Sequence, residues 1–223
     1  AGLLPQHAHH ASRAEQQELT EKVVEAHRQA FPELVEELEG IAAGSGLAFS
    51  DLAFYAFRLY HRFDPKRPEH EMECEQHCYV AGVKDENEGA VLGGVLEDLP
   101  FFRSVRSIDP EDGYRMIEIT WPGVHWSSGM NEKGLAITGA SAEAGKLKPG
   151  GRGFQSEGPR LTGLAFIALK KCATVREAVA LFGSHDLAGN LGLADGSEEM
   201  CILECVPGFN ARRGTEGDRL VAT

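Results

Sequence analysis

The chain lacks the features that mark membrane-spanning and nucleic-acid-binding proteins. No run of about 18 apolar residues occurs among its 223 residues, so no segment is expected to span a bilayer as a helix. Basic residues are outnumbered, 22 against 34 acidic ones, and the formal net charge is −12. An acidic protein is repelled by nucleic acid and by anionic membrane surfaces, which argues against both as partners. Internal repeats and low-complexity tracts are also absent.

Cysteine is scarce as well. The five cysteines stand at positions 74, 78, 172, 201 and 205, and an odd, low number argues against a disulfide framework. Neither closely spaced pair has the two-residue spacing of a zinc half-site, so we predict no structural zinc site. The chain begins with Ala1 rather than methionine, which leaves open a cytoplasmic protein and a secreted one whose signal peptide has been removed.

Hydrophobic spacing divides the chain into a helical first part and a strand-rich remainder. Apolar residues repeat at helical intervals through residues 14–62, with Pro32 in a first turn and Gly44 and Gly46 as stop signals. From residue 74 onward the apolar runs are short and turn-bounded, as in strands, and one helical pair interrupts them. This order predicts an α+β fold of mostly antiparallel sheets, with a helical segment over residues 1–73 and a second region over 74–223.

The segment "GMNEKGL", residues 129–135, lies between two runs with strand character. Asn131 and Gly134 are turn-forming residues, and a turn between two strands is the simplest structure for this segment. The alternative is that Asn131 also orients a substrate or a neighbouring loop. In the helical pair, "RLTGLAFIALKKCATVREAVALF", Thr174 is the expected cap of the second helix.

Several segments, taken in order, resemble one family. They are "ELEGIAAGSGLAFSDLAFYAFR", "GAVLGGVLEDLPFF", "GMNEKGLAIT", "GPRLTGLAFIALKKCATVREAVALF" and "LADGSEEMCILECVPG", with a cysteine that opens the first hairpin. Their order and spacing, over residues 30–223, are similar to those of the acyl-coenzyme A:6-aminopenicillanic-acid acyltransferase family, which belongs to the N-terminal-nucleophile (Ntn) hydrolases. The resemblance implies an Ntn-hydrolase-like αββα sandwich and a cysteine nucleophile at the start of the first hairpin strand. Many members of the family cleave themselves just before that cysteine, and the resemblance implies that this chain could do the same.

The implied chemistry is acyl transfer by a thiol. After self-cleavage, the α-amino group of the new first residue, whose reference pKa is about 8, accepts the proton of its own thiol. The resemblance implies that Asp98 lies beside the nucleophile and holds the resulting ammonium group. Nearby donors would stabilise the oxyanion that forms on the attacked carbonyl. The family's substrates are amides and thioesters of small acyl groups, and no metal or organic cofactor is implied.

Two cysteines compete for the role of nucleophile. A hairpin folded about residues 86–87 brings Asp98 opposite residues 74–76, which favours Cys74. Cys78 is followed at once by "YVAGV", a cleaner strand, which favours that residue instead. We favour Cys74 and keep Cys78 as the alternative.

The resemblance also assigns roles outside the hairpin. Arg58 matches a helix arginine of the family and Glu204 a strand glutamate, so the two are candidates for a buried ion pair. Trp126 is a candidate for lining an acyl pocket. The candidate site residues are therefore Cys74, Cys78 and Asp98 for catalysis, and Asn131, Arg58 and Trp126 for substrate binding.

The sequence departs from the family at three points. Val95 or Leu96 stands where the family has an asparagine before the aspartate. The chain runs unbroken through both candidate cysteines, as in an uncleaved precursor, an inactivated variant or a relative that never self-processes. It also stops at "RLVAT", where the family continues into an asparagine of the oxyanion hole. The last departure leaves open a second chain that carries the remainder. The resemblance gives no subunit count, so a homo-oligomer is also open.

We predict a cysteine-nucleophile amidohydrolase or acyltransferase for small amides or peptide-like acyl compounds. A choloylglycine- or penicillin-V-hydrolase-like amidase is the alternative with the same mechanism. A non-catalytic binding protein on the same scaffold is the alternative of a different class, favoured by the lost asparagine and the uncut chain. The expected partner is a small-molecule substrate, neither a nucleic acid nor a membrane.

Overall fold

The computed structural model describes residues 12–57, 79–85, 87, 89–95, 104–120, 128–140, 161–185, 187, 189–206, 209–214 and 219–222. These residues fall into two compact units. The first unit is helical and comprises α1 (Arg13–Ala30), α2 (Pro32–Ser45) and α3 (Phe49–Ala56). The second unit contains the strands and two further helices.

Local chemistry sets the helix ends in the first unit. Ser12 and Glu15 form a capping box at the start of α1, in which the Ser12 backbone N–H donates to the Glu15 carboxylate at 2.8 Å. Pro32 opens α2, and Gly46 ends it with a φ of 70°, whereas Gly44, the other expected stop, lies inside the helix. The buried side chains form one apolar cluster of Leu19, Val23, Val24, Val35, Leu38, Ala42, Leu52, Ala53, Ala56 and Phe57.

The second unit begins with β1 (Tyr79–Asp85), β2 (Gly89–Val95), β3 (Ser104–Ile108), β4 (Met116–Thr120), β5 (Gly129–Asn131) and β6 (Ala136–Ala140). The helices α4 (Leu161–Lys171) and α5 (Val175–Gly183) follow, and then β7 (Gly189–Ala194), β8 (Met200–Val206), β9 (Phe209–Gly214) and β10 (Arg219–Ala222). Thr174 caps α5 as expected, because its hydroxyl accepts a hydrogen bond from the Glu177 backbone N–H at 3.2 Å.

Within the described part of the chain, the strands form two antiparallel sheets. The small sheet has the order β10-β1-β2, and the large sheet has the order β3-β4-β5-β6-β7-β8-β9. β1 and β2 lie against β6 and β7, and β10 lies against β8. Helices α4 and α5 lie on the other face of the large sheet. α4 contacts β5 and β6, and α5 contacts β8.

Close contacts at two glycines show that the large sheet is covered from both sides. A Cβ atom on Gly129 would lie 2.8 Å from the Leu169 side chain of α4, whereas a Cβ atom on Gly192 would lie 2.2 Å from the Val80 side chain of β1. The second unit therefore has the layer order helix, sheet, sheet. The predicted α+β sandwich of antiparallel sheets with an N-terminal helical segment is confirmed, and the second helical layer of the αββα arrangement stays a prediction. The predicted boundary between residues 73 and 74 lies outside the described residues.

Candidate active site

β1 is the central strand of the described small sheet. Its first described residues pair with the last described residues of both neighbouring strands. Tyr79 pairs with Val95, the last residue of β2, and Val80 pairs with Ala222, the last residue of β10. We call this end of the small sheet the open end of the hairpin. Cys78 directly precedes β1 in the chain, and Asp98 follows β2 by three residues.

Most of the predicted site residues lie outside the part of the chain that the structure describes. These residues are Cys74, Cys78, Asp98, Arg58 and Trp126. In the sequence, Cys78 is the residue before β1, Cys74 lies five positions before Tyr79, and Asp98 follows Val95 by three positions. The roles of these residues stay predictions.

Among the predicted site residues, Asn131 lies in the described part of the chain. Its side chain is buried, and its Nδ2 donates to the carbonyl oxygens of Leu169 at 2.8 Å and Cys172 at 2.7 Å. Its Oδ1 accepts from the backbone N–H groups of Lys133 at 3.0 Å and Leu135 at 3.1 Å. Both amide hydrogens and both lone pairs are used within the protein. Asn131 thus joins the end of α4 to the predicted β5–β6 turn, and a substrate contact for it stays a prediction.

The cysteines in the described part of the chain are unsuited to nucleophilic attack. Cys172, Cys201 and Cys205 are free and buried. Burial raises the pKa of Cys172 to about 11 and that of Cys205 to about 12, and it also raises the pKa of Cys201. Because the thiolate is the nucleophile, a thiol that is buried and has a raised pKa reacts slowly. The remaining candidates for a reactive thiol are Cys74 and Cys78.

A pair of hydroxyl groups lies on the large sheet beside the end of β2. Thr138 of β6 and Ser128, which directly precedes β5, have their Oγ atoms 3.1 Å apart, a hydrogen-bond distance. A Cβ atom on Gly94 would lie 2.4 Å from the Thr138 hydroxyl oxygen, so this glycine lets the hydroxyl approach the strand end. Hydrophobic patterns alone do not single out the pair. The turn at residues 131–135 could have identified it, because pairing residues outward from the turn places Ser128 opposite Thr138.

One face of the large sheet is covered by the small sheet over some of its strands and exposed over others. Near β1, Ala194 packs with Val80 in an apolar cluster between the sheets. The same face continues onto β5 and β4, because Ala194 pairs with Ala136, Ala136 with Met130, and Met130 with Ile117. There, and on the adjacent strand β3, the apolar side chains are exposed: Val105 by 70 %, Ile117 by 50 %, Ile119 by 44 % and Met130 by 52 %. We call these four side chains the open apolar face.

Glu204 was expected to be buried and to form an ion pair with Arg58, and its observed environment is different. Its side chain is 42 % exposed, and its Oε1 accepts a hydrogen bond from Arg213 at 2.6 Å. Glu204 pairs with Ala211 in the register of β8 and β9, which makes Arg213 a diagonal neighbour within reach. The expected burial is wrong, and the ion pair of Glu204 in the described residues is with a neighbouring strand.

Across the described ranges, no group of three or more His, Cys, Asp or Glu side chains is placed to hold a metal ion. Likewise, none of the described helices combines the length and apolar character that crossing a membrane requires. Near the open end, the described residues contribute a hydroxyl pair and an exposed apolar surface.

Comparison with known proteins gives only distant structural likeness. No family model and no curated protein matches the chain. A variant of the conjugated bile acid hydrolase from Clostridium perfringens is 12 % identical, with a TM-score of 0.47 over 64 % of this chain and 52 % of that one. Penicillin V acylase from Agrobacterium tumefaciens is 21 % identical, with a TM-score of 0.44 over 64 % and 51 %.

A mutant of the same Clostridium perfringens hydrolase is 11 % identical, with a TM-score of 0.48 over 65 % of this chain and 53 % of that one. The chain therefore spans about half the length of the solved structures it matches. At these scores and identities, the likeness by itself assigns neither a family nor an activity to this chain, and the resemblance to the acyltransferase family stays a prediction.

Proposed function

We propose that the protein is a cysteine-nucleophile amidohydrolase or acyltransferase of the Ntn type, acting on small amides or peptide-like acyl compounds. The observation that supports this proposal is the antiparallel hairpin of β1 and β2, in which Tyr79 pairs with Val95. Cys78 directly precedes this hairpin in the sequence, and Asp98 follows it by three residues.

We propose Cys78 as the nucleophile, because it directly precedes the hairpin strand β1 in the sequence. Cys74, which lies four residues earlier, is the alternative. Cys172, Cys201 and Cys205 offer no competing thiol, because burial raises the pKa of each.

The proposed reaction has two steps. The thiol gives its proton to a base, and the sulfur attacks the carbonyl carbon of the amide. The C–S bond forms, the C–N bond breaks, and the amine leaves with that proton. Water then cleaves the thioester in a hydrolase, or a second amine takes the acyl group in an acyltransferase. After self-cleavage, the base would be the α-amino group of Cys78, with an ordinary pKa of about 8, and Asp98 would hold the ammonium group.

Mass spectrometry of the purified protein tests this proposal. We expect a fragment that begins at Cys78, and alkylation of that residue by iodoacetamide at neutral pH faster than that of free cysteine. Cys78→Ala should abolish both the cleavage and the fast alkylation, whereas Cys74→Ala should preserve both.

The reverse result from the two variants would assign the nucleophile to Cys74. An intact chain in which neither thiol reacts faster than free cysteine would contradict an Ntn enzyme. That result would instead support a non-catalytic binding protein on the same scaffold.

A further inference from the structure

A row of side chains runs across the large sheet toward the end of β2. Val105 of β3 pairs with Ile119 of β4, whose backbone N–H donates to the carbonyl oxygen of Ser128 at 2.9 Å. Ser128 is in turn within hydrogen-bond distance of Thr138 on β6. The row therefore begins with exposed apolar side chains and ends in the hydroxyl pair.

A second row, Ile117 and Met130, lies beside the first and widens it into a strip. Adjacent strands are about 4.8 Å apart and alternate residues of one strand about 6.6 Å, so the strip from β3 to β6 measures roughly 14 Å by 7 Å. One hydrogen of the hydroxyl pair joins the two oxygens, which leaves the other to donate to an acceptor such as a carbonyl. The strip thus offers an apolar surface with one polar end.

We propose that this strip binds the acyl chain of the substrate as an extended, uncharged hydrocarbon. The hydrocarbon would lie on the open apolar face, and the acyl carbonyl would accept a hydrogen bond from the Ser128–Thr138 pair. The proposal rests on the proposed function, since it takes the ligand to be the acyl part of the amide that the thiol attacks. A strip of roughly 14 Å fits a medium-length chain, such as octanoyl to dodecanoyl, better than an acetyl group.

The size of the strip favours a small ligand over a protein partner. Its dimensions give an area of roughly 100 Å², whereas each partner in a stable protein–protein interface buries about 800 Å². A second copy of the chain would also bring another net charge of −12 against the first. An uncharged acyl amide meets neither difficulty.

Fluorescence titration of the purified protein with a dansyl-labelled dodecanamide, and with the matching acetamide, tests the proposal. We expect saturable binding of the dodecanamide probe and at least tenfold weaker binding of the acetamide probe. The double substitution Ile117→Gln with Met130→Gln should weaken dodecanamide binding about tenfold, because it replaces apolar surface with polar amides. Both positions are half exposed, so the fold should tolerate the change.

The matched control is the double substitution Val83→Gln with Val91→Gln. These two residues pair across β1 and β2, are exposed by 42 % and 45 %, and lie on the face of the small sheet that points away from the large sheet. This control should leave probe affinity unchanged. Ser128→Ala should weaken the dodecanamide probe by about threefold without affecting a dansyl-labelled dodecylamine, which has no acyl carbonyl.

An equal loss of affinity in both double variants, or equal binding of the two amide probes, would overturn the proposal. So would a wild-type dimer that becomes a monomer in the Ile117→Gln, Met130→Gln variant by sedimentation, because the face would then belong to a second copy. The titrations are made in a Cys74→Ala, Cys78→Ala background, which removes both candidate nucleophiles and so prevents cleavage of the amide, and this result is therefore separate from the mass-spectrometric test of Cys78. A failure of the acyl-binding proposal can therefore be distinguished from a failure of the proposed function.

Discussion

The two halves of the large sheet present the same face to different surroundings. Over β6 and β7 the face is built largely from small residues, and a Cβ atom on Gly192 would lie 2.2 Å from the side chain of Val80 and 2.9 Å from that of Leu92. Over β3 to β5 the face carries larger apolar side chains, and Val105 is 70 % exposed. Alternation of apolar residues is common to both halves. Small residues distinguish the covered half, because a second sheet can approach closely only where side chains leave room.

The strongest test of this difference is to enlarge one small residue in each half. Gly192→Val places a branched side chain where Val80 and Leu92 already lie, and we expect it to lower the free energy of unfolding by about 3 kcal/mol or more. Ser107→Val is the control, since Ser107 is exposed and pairs with Ile117 in the open half, and we expect a change within about 0.5 kcal/mol. Urea denaturation measures both. Similar losses for the two variants would show that the halves do not differ in packing.

A second test compares the two faces of β4. Ile117 and Ile119 are exposed on one face, whereas Glu118 on the other is fully buried and accepts a hydrogen bond from Arg106 at 2.5 Å. Arg106→Met removes a charged partner from a buried carboxylate, so we expect a loss of about 2.5 kcal/mol in the free energy of unfolding.

The control for that variant is Arg213→Met, which breaks the ion pair with Glu204, a half-exposed carboxylate. Exposed ion pairs contribute little, so we expect a loss of at most about 1 kcal/mol. Thermal or urea unfolding of both variants gives the comparison. An equally small loss for Arg106→Met would show that the helix side of β4 is open to solvent.

Much of the local structure could be predicted because neighbouring residues determine it. The Ser12–Glu15 box, Pro32 and Thr174 are short-range capping signals, and each begins a helix in the structure. The β5–β6 turn follows from Asn131 and Gly134, which has a φ of 86°. Gly44 was a poor stop signal because glycine is tolerated inside a helix at modest cost.

The site could be predicted much less well, because its contacts are distant in sequence. The Asn131 amide binds the carbonyl oxygen of Leu169, 38 positions away, and no local pattern predicts that bond. The partner of Glu204 depends on strand register, which sets Arg213 diagonal to it. Whether an apolar face is covered depends on how two sheets pack, so the exposure of Val105 could not be deduced from its own strand.

A third test addresses the border between the two halves, where Thr138 approaches β2. Gly94→Ala would place a Cβ atom 2.4 Å from the Thr138 hydroxyl oxygen, and we expect a loss of about 2 kcal/mol in stability. Combining it with Thr138→Ala should recover at least about 1 kcal/mol relative to the sum of the single changes. Gly93→Ala is the control, because its Cβ would lie 3.9 Å from the nearest neighbour, an ordinary contact. Additive effects of Gly94→Ala and Thr138→Ala would contradict the close approach.

The smallest expected effect concerns the helix side of the covered half, where Cys205 lies on β8. Burial raises the pKa of this thiol from its ordinary value of 9.0 to about 12. Because the pKa is higher in the folded state, the unfolded chain loses the proton first as the pH rises. The contribution of the buried, protonated Cys205 thiol to the free energy of unfolding is therefore complete below pH 9. Above pH 9 it declines by about 1.4 kcal/mol per pH unit.

Between pH 8 and pH 10, we expect the free energy of unfolding of the wild type to fall by about 1.4 kcal/mol more than that of Cys205→Ala. The comparison isolates this thiol, since the other groups that titrate in that range are common to both proteins. Any packing loss caused by the substitution is the same at both pH values, so only the difference in pH dependence reports burial. An equal pH dependence of the wild type and Cys205→Ala would mean that the Cys205 thiol is exposed to solvent. The covered half would then be buried only on the side that faces the small sheet.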